Sequence, residues 1–338
     1  TRRIAPQGPS PSHCPDGSGC LGGEAAFSAS RVACLSSSSS SVACSSAATS
    51  NEGPASISLW FFGDSFVARD TKTAPRHRRA YPFIHNAVGR STCGTDGRWR
   101  IDYAWKKTKP PHAFFEPDPS ASWVKRAASE SGEAPYYWPL SPFVLDGTLY
   151  VGLLRVQPAD ASGPFNLPFR LIGADLARIK NPADPPGQWR VEVTSLSDAT
   201  AALPGSAWVV QGPFIYAFAY QNESEARTPQ ILTRLPRSAL ERWPSDLSGH
   251  LETLGRSGEW ESGLVPSRAR ILMEDDATEM SVHFSQQERA WLAVYSDPTP
   301  ASEHEQKGVI WLRRAGRLEG PWSEAQPLAI VPEQSPGN

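Results

Sequence analysis

Two acidic residues stand where a carboxylate is locally unfavourable unless it is hydrogen-bonded or put to use. Asp64 closes the apolar run Leu59-Trp60-Phe61-Phe62-Gly63, and Glu279 enters the apolar run that starts at Met280. Paired carboxyl groups suit acid/base work on a glycosidic bond. One protonates the leaving oxygen, while the other acts as nucleophile or activates water. A Gly-Asp pair also suits a plain turn, so Asp64 carries both readings. His85, in Ile84-His85-Asn86-Ala87, can donate to a hydroxyl or move a proton, and it suits a structural place equally well. Asn86 beside it is a further polar contact. Tyr136-Tyr137-Trp138-Pro139-Leu140-Ser141 places three aromatic rings before an apolar run. Such rings either form a stacking platform for sugar or pack between neighbouring elements. Tyr137, Trp138, Ser141 and Trp208 complete the candidate substrate contacts.

An internal repeat supplies the elements that must position these residues. Pro142–Leu154, Ala207–Ala219 and Met280–Tyr295 can be written under one another, each as strand, tight turn and strongly apolar strand. Asp146-Gly147 is a two-residue hairpin signal. Each hairpin precedes a third strand, at Phe169, Gln230 and Val309, and then a segment bearing Trp189, Trp260 or Trp322. Four antiparallel strands repeating every ~65 to 75 residues make a propeller blade. The second strand of each hairpin is apolar at nearly every position, which requires cover on both faces. A more divergent blade is read at Ile57–Phe66, Phe83–Cys93 and Trp99–Trp105. Helix signals are scarce, with one expected turn at Pro236–Arg242. Four blades are therefore readable in an all-β chain.

Composition agrees. The 338 residues include 26 Gly and 32 Pro, far more than a helical bundle tolerates, and 12 Trp. Residues 1–54 are rich in Ser, Ala and Gly and read as a low-complexity leader or linker, and 55–333 as the propeller domain. A net charge of −2 gives no electrostatic footprint for nucleic acid. No apolar run reaches the length of a membrane span. Cys14, Cys20, Cys34 and Cys44 match no tight zinc spacing, and Cys93 stands apart, so neither metal nor cofactor is expected.

The ordered set Phe62-Gly-Asp64-Ser-Phe66, His85-Asn86, Tyr137-Trp138-Pro-Leu, Leu145–Val151, Thr278-Glu279-Met-Ser281 and Gly320-Pro-Trp-Ser323 resembles a bacterial propeller family long catalogued as a domain of unknown function. Some members of that family are endo-D-arabinanases. The resemblance spans Ile57 to Leu328. It implies five blades and a glycosidase with acidic catalytic residues, whose role falls on Asp64 and Glu279. The expectation is a secreted or cell-envelope glycoside hydrolase acting on a polysaccharide, with an arabinan as one candidate. The alternative is a non-catalytic propeller that binds carbohydrate or protein.

Overall fold

The computed structural model describes residues 19–21, 31–34, 57–68, 82–93, 99–162, 167–198, 202–221, 228–275, 277–296 and 308–331. Its strands are β1 (Gly19–Leu21), β2 (Arg31–Cys34), β3 (Ser58–Phe62), β4 (Ser65–Ala68), β5 (Phe83–Ile84), β6 (Ala87–Cys93) and β7 (Trp99–Ala104). They continue with β8 (Tyr136–Leu145), β9 (Thr148–Ser162), β10 (Leu167–Ile179), β11 (Val191–Ser197), β12 (Ala202–Gln211), β13 (Phe214–Gln221) and β14 (Gln230–Pro236). The remainder are β15 (Glu252–Leu254), β16 (Trp260–Ser262), β17 (Ile271–Met273), β18 (Met280–Ser285), β19 (Ala290–Ser296), β20 (Gly308–Ala315) and β21 (Gln326–Val331). Helices α1 (Ser122–Ser131) and α2 (Arg237–Arg242) interrupt them.

Among the described residues four sheets form blades in a propeller arrangement: β2-β3-β6-β7, β8 to β11, β12 to β16, and β18 to β21. A fifth blade does not occur among them. β4 leaves the first blade and pairs with β1 and β5 in a separate three-stranded sheet. The strand β2 falls in the segment read as a leader and pairs along β3.

Apolar side chains gather between adjacent blades. Leu59 and Phe61 meet Leu149 and Val151 between blades 1 and 2. Phe143 and Tyr150 meet Trp208 and Ile215 between blades 2 and 3. Tyr216 and Phe218 meet Met280 and Tyr295 between blades 3 and 4. The second strands β9 and β13 are buried over most of their length, as double-sided cover requires. In β19 only Ala293 and Tyr295 are buried, because blade 4 packs firmly on one side, against blade 3.

Close packing of the inner strands depends on Gly205. Its φ is +127°, and an added Cβ would stand 2.6 Å from Leu140 Cδ1, itself 1% exposed. Gly205→Ala is therefore expected to destabilise the fold by about 2–3 kcal/mol, from strain and overpacking together. The denaturant midpoint of the purified variant checks this.

The tryptophan segments do not all occupy a fourth strand. Trp189 precedes β11, Trp260 opens an extra fifth strand, and Trp322 makes an isolated bridge with Ala315 ahead of β21. The turn expected at Pro236–Arg242 is present as α2. α1 was not expected. It ends at Gly132, whose left-handed backbone (φ +74°) lets its N–H reach the Ala128 carbonyl.

Candidate functional site

Each blade is an antiparallel meander that begins at its innermost strand. The starts of the innermost strands and the connections from second to third strands therefore share one end of the propeller. Asp64 lies after the second strand of blade 1, His85 and Asn86 before the third, and Tyr136 to Trp138 at the start of blade 2. Glu279 immediately precedes the innermost strand of blade 4, at that same end.

Local chemistry aims Asp64. Ser65 Oγ donates to the Gly63 carbonyl (2.9 Å) and fixes the bend between β3 and β4. Asp64 Oδ1 then accepts from Trp138 Nε1 at 2.8 Å and from His85 Nδ1 at 3.2 Å. With Nδ1 donating to Asp64, the second ring nitrogen, Nε2, is not engaged by that bond. The imidazole stacks on Tyr136 (centroids 3.4 Å apart, 8° between planes) and meets Phe83 edge-on at 5.3 Å. Trp138 in turn meets Phe169 edge-on at 4.6 Å. Burial, then the negative charges of Asp64 and Glu133, push the Tyr136 hydroxyl well above the ordinary tyrosine range. It remains a neutral donor at any physiological pH. The side chains of Asp64 and His85 are each about one third exposed, so the pair is open to a ligand.

Asn86 is fully buried. Its Nδ2 donates to the carbonyls of Phe115 and Tyr137, both at 2.9 Å, and its Oδ1 accepts from the Phe115 N–H at 2.7 Å. The side chain takes a structural place: it locks the start of β6 to the start of β8 and so holds His85 against Tyr136. Tyr137 points to the opposite face of β8, is buried, and donates its hydroxyl to Asp175. Trp208 is buried against Phe143 between blades. Ser141 Oγ donates to the Ser206 carbonyl (3.0 Å) and ties inner strands β8 and β12 together. Asp64, His85 and Trp138 thus meet directly, while Asn86, Tyr137, Ser141 and Trp208 brace the elements around them.

The connection that carries Glu279 is anchored twice. Asp275 Oδ2 accepts from the Tyr295 hydroxyl and from Arg313 Nε, both at 2.7 Å. The Ala277 carbonyl accepts from the buried amide of Gln230. Among the described residues no cluster of His, Cys, Asp and Glu is placed to hold a metal ion. No described helix is long and apolar enough to cross a membrane.

A second polar assembly lies inside blade 2. Arg155 and Asp175, both 3% exposed, pair through Nε–Oδ1 at 2.9 Å and through Nη2. Arg155 also bonds Asp198 and Ser195 and lies over the Trp123 ring at 4.7 Å. Burial opposes the Arg155 charge, but the hydrogen bonds and charges of Asp175 and Asp198 outweigh it and hold its pKa above the ordinary arginine value.

Residues 35–338 match the family model described as Domain of unknown function (DUF5005). The chain belongs to that family. No curated protein matches this DUF5005 chain. Among solved structures it is similar to a "putative hydrolase" from Bacteroides ovatus ATCC 8483, at 14% identity and TM-score 0.56, over 82% of this chain and 67% of that one. It also matches a mutant of the Cellvibrio cellulosa alpha-L-arabinanase (11%, TM-score 0.41, 81% and 70% covered) and the GH43 protein BlXynB of Bacillus licheniformis in mutant form (11%, TM-score 0.42, 85% and 42% covered). The first of these three shares the overall fold of this DUF5005 chain.

Proposed function

We propose that the protein is a glycoside hydrolase acting on a polysaccharide, with arabinan as the first substrate to test, and that it works outside the cytoplasm. The observation that carries this reading is the carboxylate of Asp64, oriented by Trp138 and His85 on a half-open rim of aromatic rings. Sugar rings present apolar faces and hydroxyl edges. Tyr136, Trp138 and Phe169 offer matching flat surfaces, and the Tyr136 hydroxyl and His85 offer hydrogen bonds. Asp64 and Glu279 then divide the chemistry: one protonates the glycosidic oxygen as the bond breaks, and the other attacks the anomeric carbon or activates the water that does. His85 and Trp138 hold Asp64 in one orientation, so that little reorganisation precedes the step.

The aromatic rim also fits a binding module without turnover, and the two readings separate experimentally. The purified protein is incubated with arabinans and related plant and bacterial glycans, and released reducing ends are measured beside Glu279→Gln. Sugar release by the wild type that falls at least a hundredfold in the variant supports hydrolysis. Retention on insoluble glycan without release supports the binding module, and release unchanged by the variant removes Glu279 from the site.

A further inference from the structure

The connection from β17 to β18 ends in Glu279, and two buried residues each meet it twice. Gln230, at the start of β14, stands opposite Met273, and its side-chain amide donates to the Ala277 carbonyl. Tyr295, at the far end of β19, stands opposite Met280, and its hydroxyl donates to Asp275 Oδ2 at 2.7 Å. Met273, Ala277 and Met280 are all buried, while Glu279 is half-buried. The short segment that delivers Glu279 is therefore folded back on the two strands that flank it.

Arg313 closes the assembly from β20. Its Nε lies 2.7 Å from Asp275 Oδ2 and 2.8 Å from the Tyr295 hydroxyl oxygen, and its Nη1 donates to the Ser323 carbonyl. Ser323 is held in turn by β20, with its N–H on the Arg314 carbonyl at 2.8 Å. Bonds between a guanidinium and a carboxylate are among the stronger hydrogen bonds of a protein. Burial, then the bond to Asp275, push the Tyr295 hydroxyl well above the ordinary tyrosine range, so it stays a donor. Connections between strands ordinarily run over the surface and move more than the strands do. A carboxyl that must meet a glycosidic oxygen needs the opposite, a support that fixes its place before substrate arrives. Tyr295 is only 3% exposed, out of reach of a glycan, so whatever it does for a reaction passes through the connection.

We propose that Tyr295, Asp275 and Arg313 are positioning residues that hold Glu279 in place opposite Asp64. The proposal rests on the hydrolase reading above and on the role given there to Glu279.

A double-mutant cycle on the full chain tests it, with kcat and KM measured on the glycan that the wild type cleaves. Tyr295→Phe removes one hydroxyl from a packed ring. It is expected to lower kcat about ten- to hundredfold with KM within about twofold, the pattern of a misplaced group rather than a lost contact. Asp275→Asn keeps an acceptor for the hydroxyl and is expected to lose less, about three- to tenfold. In a Glu279→Gln background, Tyr295→Phe is expected to change the residual rate by less than about twofold, because the residue it positions has already lost its function. Melting curves on the same samples confirm that each variant is folded. A wild-type kcat in Tyr295→Phe, or the same fractional loss in both backgrounds, overturns the positioning role and leaves the hydrolase reading standing. Turnover unaffected by Glu279→Gln but slowed by Tyr295→Phe removes Glu279 from the chemistry and this proposal with it. Absence of release from every glycan by the wild type defeats the hydrolase reading itself, and the positioning role falls with it.

Discussion

Replacing Asp64 by asparagine is expected to lower glycan hydrolysis by about 10²- to 10⁴-fold, the range for loss of a positioned acid or base. Asparagine keeps the shape of the side chain and an oxygen that accepts from Trp138 Nε1 and His85 Nδ1. It removes the charge and the titratable proton. The fold should therefore stay within about 1 kcal/mol of wild type, since neither hydrogen bond loses its acceptor. This separation is the informative part. A structural turn at Gly63-Asp64 would tolerate the amide in both stability and turnover, because the bend itself is held by Ser65 and Gly63. Initial rates at substrate concentrations below KM, with a melting curve on the same sample, report both. An unchanged rate in a folded variant assigns Asp64 to the turn alone.

Arg155→Ala is expected to produce the largest stability loss in the molecule, about 3–5 kcal/mol, the usual cost of removing one partner from a buried ion pair. Asp175 would then remain 3% exposed with only the Tyr137 hydroxyl facing it among the groups that now bind it. The cation lying over Trp123 would vanish as well. Asp198 is 74% exposed and would return to solvent at little cost. For a domain of this size the melting temperature should fall by roughly 6–20 °C. The double change Arg155→Met with Asp175→Leu should recover most of the loss, because a buried pair replaced by apolar side chains of similar volume is often neutral or stabilising. Equilibrium denaturation of both variants gives the comparison. A single variant within 1 kcal/mol of wild type would show that the pair carries no net stabilisation.

The blades were legible because each hairpin writes its own signature. Asp146-Gly147 turns with both residues at positive φ, and the second strands are apolar without alternation because neighbouring blades cover both faces. The rim was legible in part. Asp64 and Trp138 stand 74 positions apart, and only the approach of blade 2 to blade 1 makes them partners. The residue type of Asn86 allows a ligand contact. Its full burial under three backbone bonds follows from packing that no local pattern encodes. The buried ion pair did leave a signal. Arg155 interrupts the apolar run Val151–Val156, and Asp175 interrupts Gly173–Ala177, as Glu279 marks the edge of its own strand. Opposite charges in adjacent strands of one blade can be matched once a register is drawn, and here Arg155 stands across from Gly173. Helix α1 was missed because its apolar positions are few, and its stability comes from the burial of Val124 and Ala127 against blade 2 rather than from a long amphipathic face.

The central claim is that a single glycan unit touches carboxylates from two distant blades. A crystal structure of the Asp64→Asn variant with a bound substrate oligosaccharide measures this directly. The account predicts a sugar lying against Tyr136 and Trp138, with residue 64 and Glu279 flanking one glycosidic oxygen and their side-chain termini about 5 to 9.5 Å apart. A saccharide bound elsewhere, or a Glu279 carboxyl well beyond that span from residue 64, would contradict it.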